Sequence, residues 1–324
     1  MKAIVQDTYG SPDVLELRDI DRPTAGDDQL LVRVHAAGVD PGVWHLMAGQ
    51  PYMIRLGMGF RGPKVHVKGS DVAGRVEAVG RNVTRFQPGD EVFGTGDGSF
   101  AEFACVREGR CAPKPANLSF EQAAAVPISA CTALQGLRDK GQVQPGQKVL
   151  IIGAGGGVGT FAVQIAKSFG AEVTGVCSTA KADLVRSIGA SDVIDYTRDD
   201  FADGTRRYDL ILDTAGNRRL SRLRRALSPQ GTLVIIGGEG GGRWTGGFLE
   251  RLLRARILSL FASRKLIGLS AKVNQKDLLV LKELIEAGKV TPVIDSTYPL
   301  SEAPEAIRYM HEGHAHGKVV ITVD

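Results

Sequence analysis

Cysteine is scarce in this chain and never closely paired. Cys105, Cys111, Cys131 and Cys177 are scattered over 324 residues without CxxC spacing. That argues against a disulfide scaffold or a zinc knuckle and fits a cytoplasmic protein. Long apolar runs are missing as well. None approaches the roughly 20 residues that a membrane-spanning helix needs. The start, Met1-Lys2-Ala3-Ile4-Val5-Gln6-Asp7, turns polar at once, so neither a signal peptide nor a membrane partner is expected. A strong charge of one sign is absent, the formal net charge being +4. Arginines do gather locally, at Arg218, Arg219, Arg222, Arg224 and Arg225 and again over 251–256. No aromatic residues alternate with them to stack bases, so solvated helix faces are expected there rather than a nucleic-acid site.

Apolar residues make up 43% of the chain, enough to bury full cores, and the length suggests about two domains of roughly 150 residues. One stretch organises the chain: Val149-Leu150-Ile151-Ile152-Gly153-Ala154-Gly155-Gly156-Gly157-Val158-Gly159. Four apolar residues in a row read as a strand buried on both faces. The glycines permit a turn that side chains would block. Behind them, 160–170 has helical apolar spacing and stops on Gly170. Strand, glycine turn and helix make a recipe for a dinucleotide pyrophosphate site. Bare glycines let phosphate approach the backbone, and the helix start offers N–H groups and a positive dipole end. The letters depart from strict GxGxxG, so the flanking elements carry the assignment.

Residues 1–125 read as all-β, with strands expected at 30–39, 74–80, 91–94 and 99–106 between turns such as Gln87-Pro88-Gly89-Asp90. That pattern suggests a small barrel or sandwich. A helix is expected from Ser119, a plausible cap, to Ala125, and another over 128–140. From there strands (148–152, 172–177, 193–196, 208–213, 231–236) alternate with helices (159–169, 180–188, 217–227), the pattern of a doubly wound parallel sheet. The glycine-rich, then basic and apolar stretch 239–272 resists parsing. A helix is expected over 275–287, and strands near 294–298 and 318–323 flank a helix at 301–311. The tail has the character of the first part, so the expected domains are 1–125, an inserted nucleotide domain 126–270, and a return to the first domain over 271–324.

The run Ala154-Gly155-Gly156-Gly157-Val158-Gly159 matches the AxGGVG signature of the medium-chain dehydrogenase/reductase superfamily. Gly69-Ser70-Asp71-Val72-Ala73-Gly74, Pro88-Gly89-Asp90-Glu91-Val92, Ala287-Gly288-Lys289-Val290-Thr291-Pro292 and His316-Gly317-Lys318-Val319-Val320 fall at further landmarks. The chain resembles the zinc-independent quinone oxidoreductase (zeta-crystallin-like) branch over essentially its whole length. The resemblance implies a Rossmann doubly wound sheet inserted in a GroES-like β-barrel catalytic domain, an active site in the cleft between them, and a homodimer. Zinc-dependent relatives carry a Cys ligand where Asp40 stands and His-Glu where Ser70-Asp71 stands. They also insert a four-cysteine lobe where Phe93-Gly94-Thr95-Gly96-Asp97-Gly98-Ser99 runs straight through. No metal site is therefore expected. Without a Lewis acid to stabilise an alkoxide, hydride addition to an electrophilic carbon, as in a quinone or α,β-unsaturated carbonyl, is the simpler chemistry.

The strand over 172–177 has no Asp or Glu at its end, where an NAD site holds the ribose 2′-OH. Ser178, Thr179 and Lys181 suit a 2′-phosphate instead, so NADPH is the expected cofactor. Ser178 as a mere helix cap and Lys181 as a solvated side chain are the bland alternative. Gly155, Gly156, Gly157 and Val158 are expected at the pyrophosphate. Ala215, Gly216, Asn217, Ile236, Gly237 and Gly238 lie at carboxyl ends of sheet strands, where cofactors bind. The resemblance adds Tyr196 beside the 2′-phosphate and Thr132 near the nicotinamide. Lys318 could reach phosphate or face solvent. Asp40 and His45 are departures from the Asn and Tyr usual in such quinone reductases. His45 could donate a proton to a product oxyanion, or the pair could be a turn Asp before proline and a structural His. Tyr52 lines the pocket or packs, and Met53, Leu56, Met58 and Phe60 form an apolar pocket or packing. Two further functions compete with an NADPH-dependent quinone or enone reductase: a zinc-free alcohol dehydrogenase or carbonyl reductase, and a non-catalytic NADPH- or RNA-binding protein.

Overall fold

A computed structural model describes residues 1–238, 244–247, 251–252, 254–255 and 264–323. Two units fold compactly: Met1–Cys131 with Lys272–Gly288 and Pro292–Asp324, and Thr132–Ala271 with Lys289–Thr291. In the first unit, β1 (Lys2–Val5) and β2 (Glu16–Asp19) pair antiparallel. Then β3 (Gln29–Val39), β4 (Asp71–Val79), β5 (Glu91–Asp97) and β6 (Phe103–Pro113) pair antiparallel in series. β3 also pairs β6, Gln29 opposite Arg107 and Arg33 opposite Phe103. That second pairing closes the four strands into a barrel and removes two sheet edges. Leu30, Val32, Val72, Val76, Val92 and Val106 fill the interior.

This unit is not all-β. α1 (Pro41–Ala48) follows β3 directly. Asp40 caps it, accepting from Gly42 N at 2.7 Å; Pro41 sets its first turn, and Gly49 ends it in the left-handed region at φ 60°. A 3-10 turn, Tyr52–Ile54, and the single-turn α2 (Arg55–Met58) come next. β6 starts four residues later than the sequence suggests, because 100–101 have other partners. Phe100 N donates to Lys68 O at 2.8 Å, and Ala101 bridges to Ala3. α3 (Phe120–Ala124) opens on the capping box of Ser119 and Gln122. α4 (Pro127–Leu134) continues as π-helix over Gln135–Lys140.

The second unit runs β7 (Lys148–Ile152), α5 (Gly157–Ser168), β8 (Glu172–Cys177), α6 (Ala182–Ser187), β9 (Asp192–Asp195), β10 (Tyr208–Asp213), α7 (Leu220–Ala226), β11 (Leu227–Ile235) and β12 (Lys265–Gly268). All six strands are parallel, in the order β12-β11-β10-β7-β8-β9. Strands such as Val149–Ile152 are buried continuously, as a sheet covered on both faces requires. The strand order reverses at β7, which makes the carboxyl ends of β7 and β10 the topological switch point. β12 lies in the stretch that the sequence left unparsed; most of 239–263 lies outside the described residues.

The tail adds α8 (Gln275–Glu286), β13 (Ile294–Pro299), α9 (Ala303–His311) and β14 (Lys318–Thr322). β14 pairs β3 antiparallel and β13 pairs β14 parallel. Ala303, Ala306 and Ile307 of α9 enter the barrel core. The parallel sheet is thus an insertion in the β-barrel unit.

Candidate functional site

Three loops meet at the carboxyl edge of the parallel sheet. Asp213 stands opposite Ile152 across β10 and β7. Thr214 N and Oγ1 both donate to Ile152 O, at 3.1 and 2.7 Å. Ile236 N and Gly237 N donate to Asp213 O at 3.0 and 3.1 Å. These bonds draw Ala215, Gly216, Ile236 and Gly237 beside the glycine turn after β7; Asn217 and Gly238 extend the same two loops. Backbone meets backbone here. A Cβ on Gly159 would lie 2.0 Å from Gly153 O, and one on Gly216, at φ 70°, 2.2 Å from the Gly237 carbonyl carbon. The turn carries Gly155 and Gly156; Gly157 and Val158 begin α5. No side chain caps that helix at Gly156. Its leading N–H groups and positive dipole end are left for an anion, and the bare turn fits a dinucleotide pyrophosphate.

The end of β8 flanks this turn. Gly153 N and Ala154 N donate to Val176 O, each at 3.0 Å. A Cβ on Gly155 would stand 2.8 Å from Lys181 Cβ, so the Lys181 stem lies over the glycines. Ser178 makes no side-chain cap to the 3-10 turn Thr179–Lys181, which removes the reading of Ser178 as a helix cap. Tyr196 N donates to Cys177 O at 3.1 Å, and the Arg218 guanidinium sits 5.1 Å over its ring. The sequence reading missed Asp195. It ends β9 opposite Cys177, and its carboxylate accepts from the hydroxyls of Thr179 and Thr197. The Thr179 hydroxyl, chiefly, holds its carboxyl below the usual range. The signal was the register of neighbouring parallel strands rather than the end of β8 alone.

Behind the β10 loop stands Arg251, one of the arginines expected on a solvated face. It is 12% exposed and pairs with Asp213, which is fully buried. Arg251 Nη1 also donates to Gly216 O at 2.7 Å and Arg218 O at 2.6 Å. Asp213 Oδ1 accepts from Gly216 N at 3.1 Å. The pair therefore fixes the loop from both its N–H and C=O sides. Burial raises the Asp213 carboxyl pKa, and Arg251 opposes that. Thr132, on α4, is buried.

In the barrel unit, Asp40 is buried and is the N-cap of α1; its Oδ2 has no hydrogen bond among the described residues. His45 is exposed on the same helix, its Nδ1 3.1 Å from Gln50 O. The two side chains have different partners. Tyr52 faces the Arg55 guanidinium at 4.7 Å. Leu56 and Phe60 are 75% and 78% exposed, which excludes packing for both. Lys318 does not face solvent. It is 2% exposed, donates to Val39 O at 3.2 Å and stands 3.6 Å from Asp71 Oδ2. Asp71 is fully buried and accepts from Ile128 N at 3.0 Å. Burial pushes its carboxyl up to about 7, with Lys318 lowering it and Asp40 raising it. These residues do not fit zinc. Asp40 serves a helix cap, Asp71 already faces a cation, and no three His, Cys, Asp or Glu side chains converge among the described residues.

A parallel nucleotide-type sheet inserted in a β-barrel defines a two-domain dehydrogenase class, and comparison with known proteins agrees. Residues 26–116 match the alcohol dehydrogenase GroES-like domain, and 188–321 a domain described as zinc-binding dehydrogenase. The chain is 34% identical to 2-methylene-furan-3-one reductase of Solanum lycopersicum, covering 99% of this chain and 79% of that protein. It is 34% identical to the quinone oxidoreductase of Homo sapiens (98% and 94%). It is 31% identical to the mitochondrial NAD(P)H oxidoreductase RTN4IP1 of Mus musculus (100% and 89%). The solved quinone oxidoreductase of Coxiella burnetii superposes with TM-score 0.88 at 28% identity, covering 100% of this chain and 99% of that one. The chain belongs to the medium-chain dehydrogenase/reductase superfamily and is an oxidoreductase of its quinone-oxidoreductase-like group.

Two stability measurements check the buried charges. A carboxyl whose folded pKa is raised binds its proton more tightly folded than unfolded, so its contribution falls as pH rises from about 4 to about 7. In urea unfolding, wild type should lose ~2 kcal/mol relative to Asp71→Asn between about pH 5.5 and 7.5; parallel pH profiles would contradict this. Arg251→Ala leaves Asp213 buried and unpaired and should cost about 3–5 kcal/mol, and Asp213→Asn in the same chain should recover part of the loss.

Proposed function

We propose that this chain is an NADPH-dependent, zinc-independent reductase that transfers hydride to a quinone or an α,β-unsaturated carbonyl. The observation that carries this reading is the carboxyl edge of the parallel sheet. An uncapped helix start and a bare glycine turn lie beside Lys181, with Ser178 and Arg218 near and no acid at the end of β8. Asp195, a neighbouring carboxylate, already accepts hydrogen bonds from two threonine hydroxyls. Gly155, Gly156, Gly157 and Val158 would hold the pyrophosphate. Ser178, Thr179 and Lys181, beside Tyr196, would hold the 2′-phosphate. The loops Ala215-Gly216-Asn217 and Ile236-Gly237-Gly238, with Thr132, would hold the nicotinamide half. Bound there, the reduced nicotinamide supplies hydride.

The chain's own task is the proton. Reduction of a quinone or enone leaves an oxyanion. The His45 ring is exposed and held through Nδ1, which donates to the Gln50 carbonyl, so Nε2 is its free end and, in the imidazolium form, delivers the proton to the product oxyanion and is left as the neutral ring. Asp40 anchors the start of α1, which carries His45, and Tyr52 lines the acceptor site. The absence of disulfides among the four cysteines supports a reducing compartment, here the cytoplasm, although the RTN4IP1 relative is named mitochondrial. A homodimer completes the reading. The same two residues, Asp40 and His45, support the second reading, a zinc-free alcohol dehydrogenase or carbonyl reductase.

Stopped-flow oxidation of NADPH and NADH against a panel of quinones and enones tests the proposal. Turnover should favour NADPH. Lys181→Ala should raise KM for NADPH about tenfold, the worth of one charge-assisted hydrogen bond, and leave NADH unchanged. No turnover with any acceptor, or equal use of both cofactors, overturns it. Alcohol-dependent NADP⁺ reduction without quinone or enone turnover supports the second reading.

A further inference from the structure

Among the described residues, eight large apolar side chains are exposed, and four of them, Met53, Leu56, Phe60 and Val65, fall within one short segment of the barrel unit. The segment is tethered from behind. Tyr9 OH donates to Gly59 O at 2.8 Å, and Arg55 donates to Gly49 O at 2.8 Å while its guanidinium lies 4.5 Å over the Tyr9 ring. Lys64 N donates to Met58 O at 2.8 Å, closing the loop, and Gln6 N donates to His66 O at 2.9 Å. The exposed apolar side chains thus stand on a fixed scaffold.

Its charge is of one sign. Between Asp40 and Asp71 the sequence has no Asp or Glu, and it carries Arg55, Arg61, Lys64 and Lys68. Arg61 and Lys64 are exposed among the apolar side chains. The neighbouring acid, Asp7, is engaged by Arg18 at 2.8 Å and His66 at 3.3 Å.

We propose that residues 53–66 are a docking surface for an anionic lipid membrane, with Leu56 and Phe60 inserted at the headgroup level and Arg61 and Lys64 on lipid phosphates. A stable protein interface takes about 20–30 residues a side, more than this segment offers. A membrane surface needs only a few inserted apolar side chains and cations against its negative potential. The lack of a long apolar run excludes a span, not this peripheral contact. Docking stands apart from the reductase reading, because vesicle binding is measured without turnover.

Cosedimentation of the full chain with vesicles of phosphatidylcholine, pure or containing one-third phosphatidylglycerol, tests it. Binding is expected to the phosphatidylglycerol vesicles, to fall at least fivefold in about 0.5 M NaCl, and to fall about tenfold in both Leu56→Ser/Phe60→Ser and Arg61→Glu/Lys64→Glu. Circular dichroism checks that both variants are folded. No binding by wild type, equal binding to both vesicles, or unchanged binding of either folded variant overturns the proposal. So does a Phe60-dependent dimer in size-exclusion chromatography without vesicle binding, which would make a second copy the occupant.

Discussion

The close approach of bare backbone at the end of β7 is the constraint on which the second unit depends. Gly159 has no room for a Cβ against Gly153 O, so α5 starts as near to the strand end as a chain can bring it. That approach aims the uncapped helix start at the carboxyl edge of the sheet. The β10 and β11 loops obey the same constraint, since Gly216 lies against Gly237. Side chains are excluded from the floor of the site, and the specificity of the reading therefore rests on its rim: Ser178, Lys181, Tyr196 and Arg218.

Each unit also buries a carboxylate against a cation among the described residues, and the two pairs differ in geometry. Asp213 shares hydrogen bonds with Arg251 and Gly216 N, and Arg251 Nη1 donates to two loop carbonyls. That pair is a brace, and breaking it leaves an uncompensated charge. Asp71 stands 3.6 Å from Lys318, beyond hydrogen-bond length, with Asp40 adding a like charge. Burial raises both carboxyls, Asp71 to about 7, and in each pair the cation opposes it, Lys318 at Asp71 and Arg251 at Asp213.

Much of this was legible in the amino-acid sequence because the relevant signals are local. The period change after Ser119, the apolar runs of β7, β8 and β10, and the glycine turn all reach the eye within ten residues. α1 was missed although its signals were present: Asp40-Pro41 as cap and first turn, Val43 and Met47 one turn apart, and Gly49 as stop. They were outweighed by the β pattern on either side. What the sequence could not show depends on long-range pairing. Lys318 meets Asp71 only because β14 returns to β3. Asp195 meets Thr179 only through the register of β9 on β8. Arg251 looked like one of a row of solvated arginines until Asp213 stood behind it.

Phosphorus NMR of NADPH titrated with the full chain separates the floor of the site from its rim, since the pyrophosphate and the 2′-phosphate give distinct resonances. The expected result is that both shift on binding and that Lys181→Ala returns the 2′-phosphate toward its free position while the pyrophosphate stays shifted. A pyrophosphate shift with no response at the 2′-phosphate would contradict NADPH selection by the rim, and no shift of either would contradict the role given to the glycine turn.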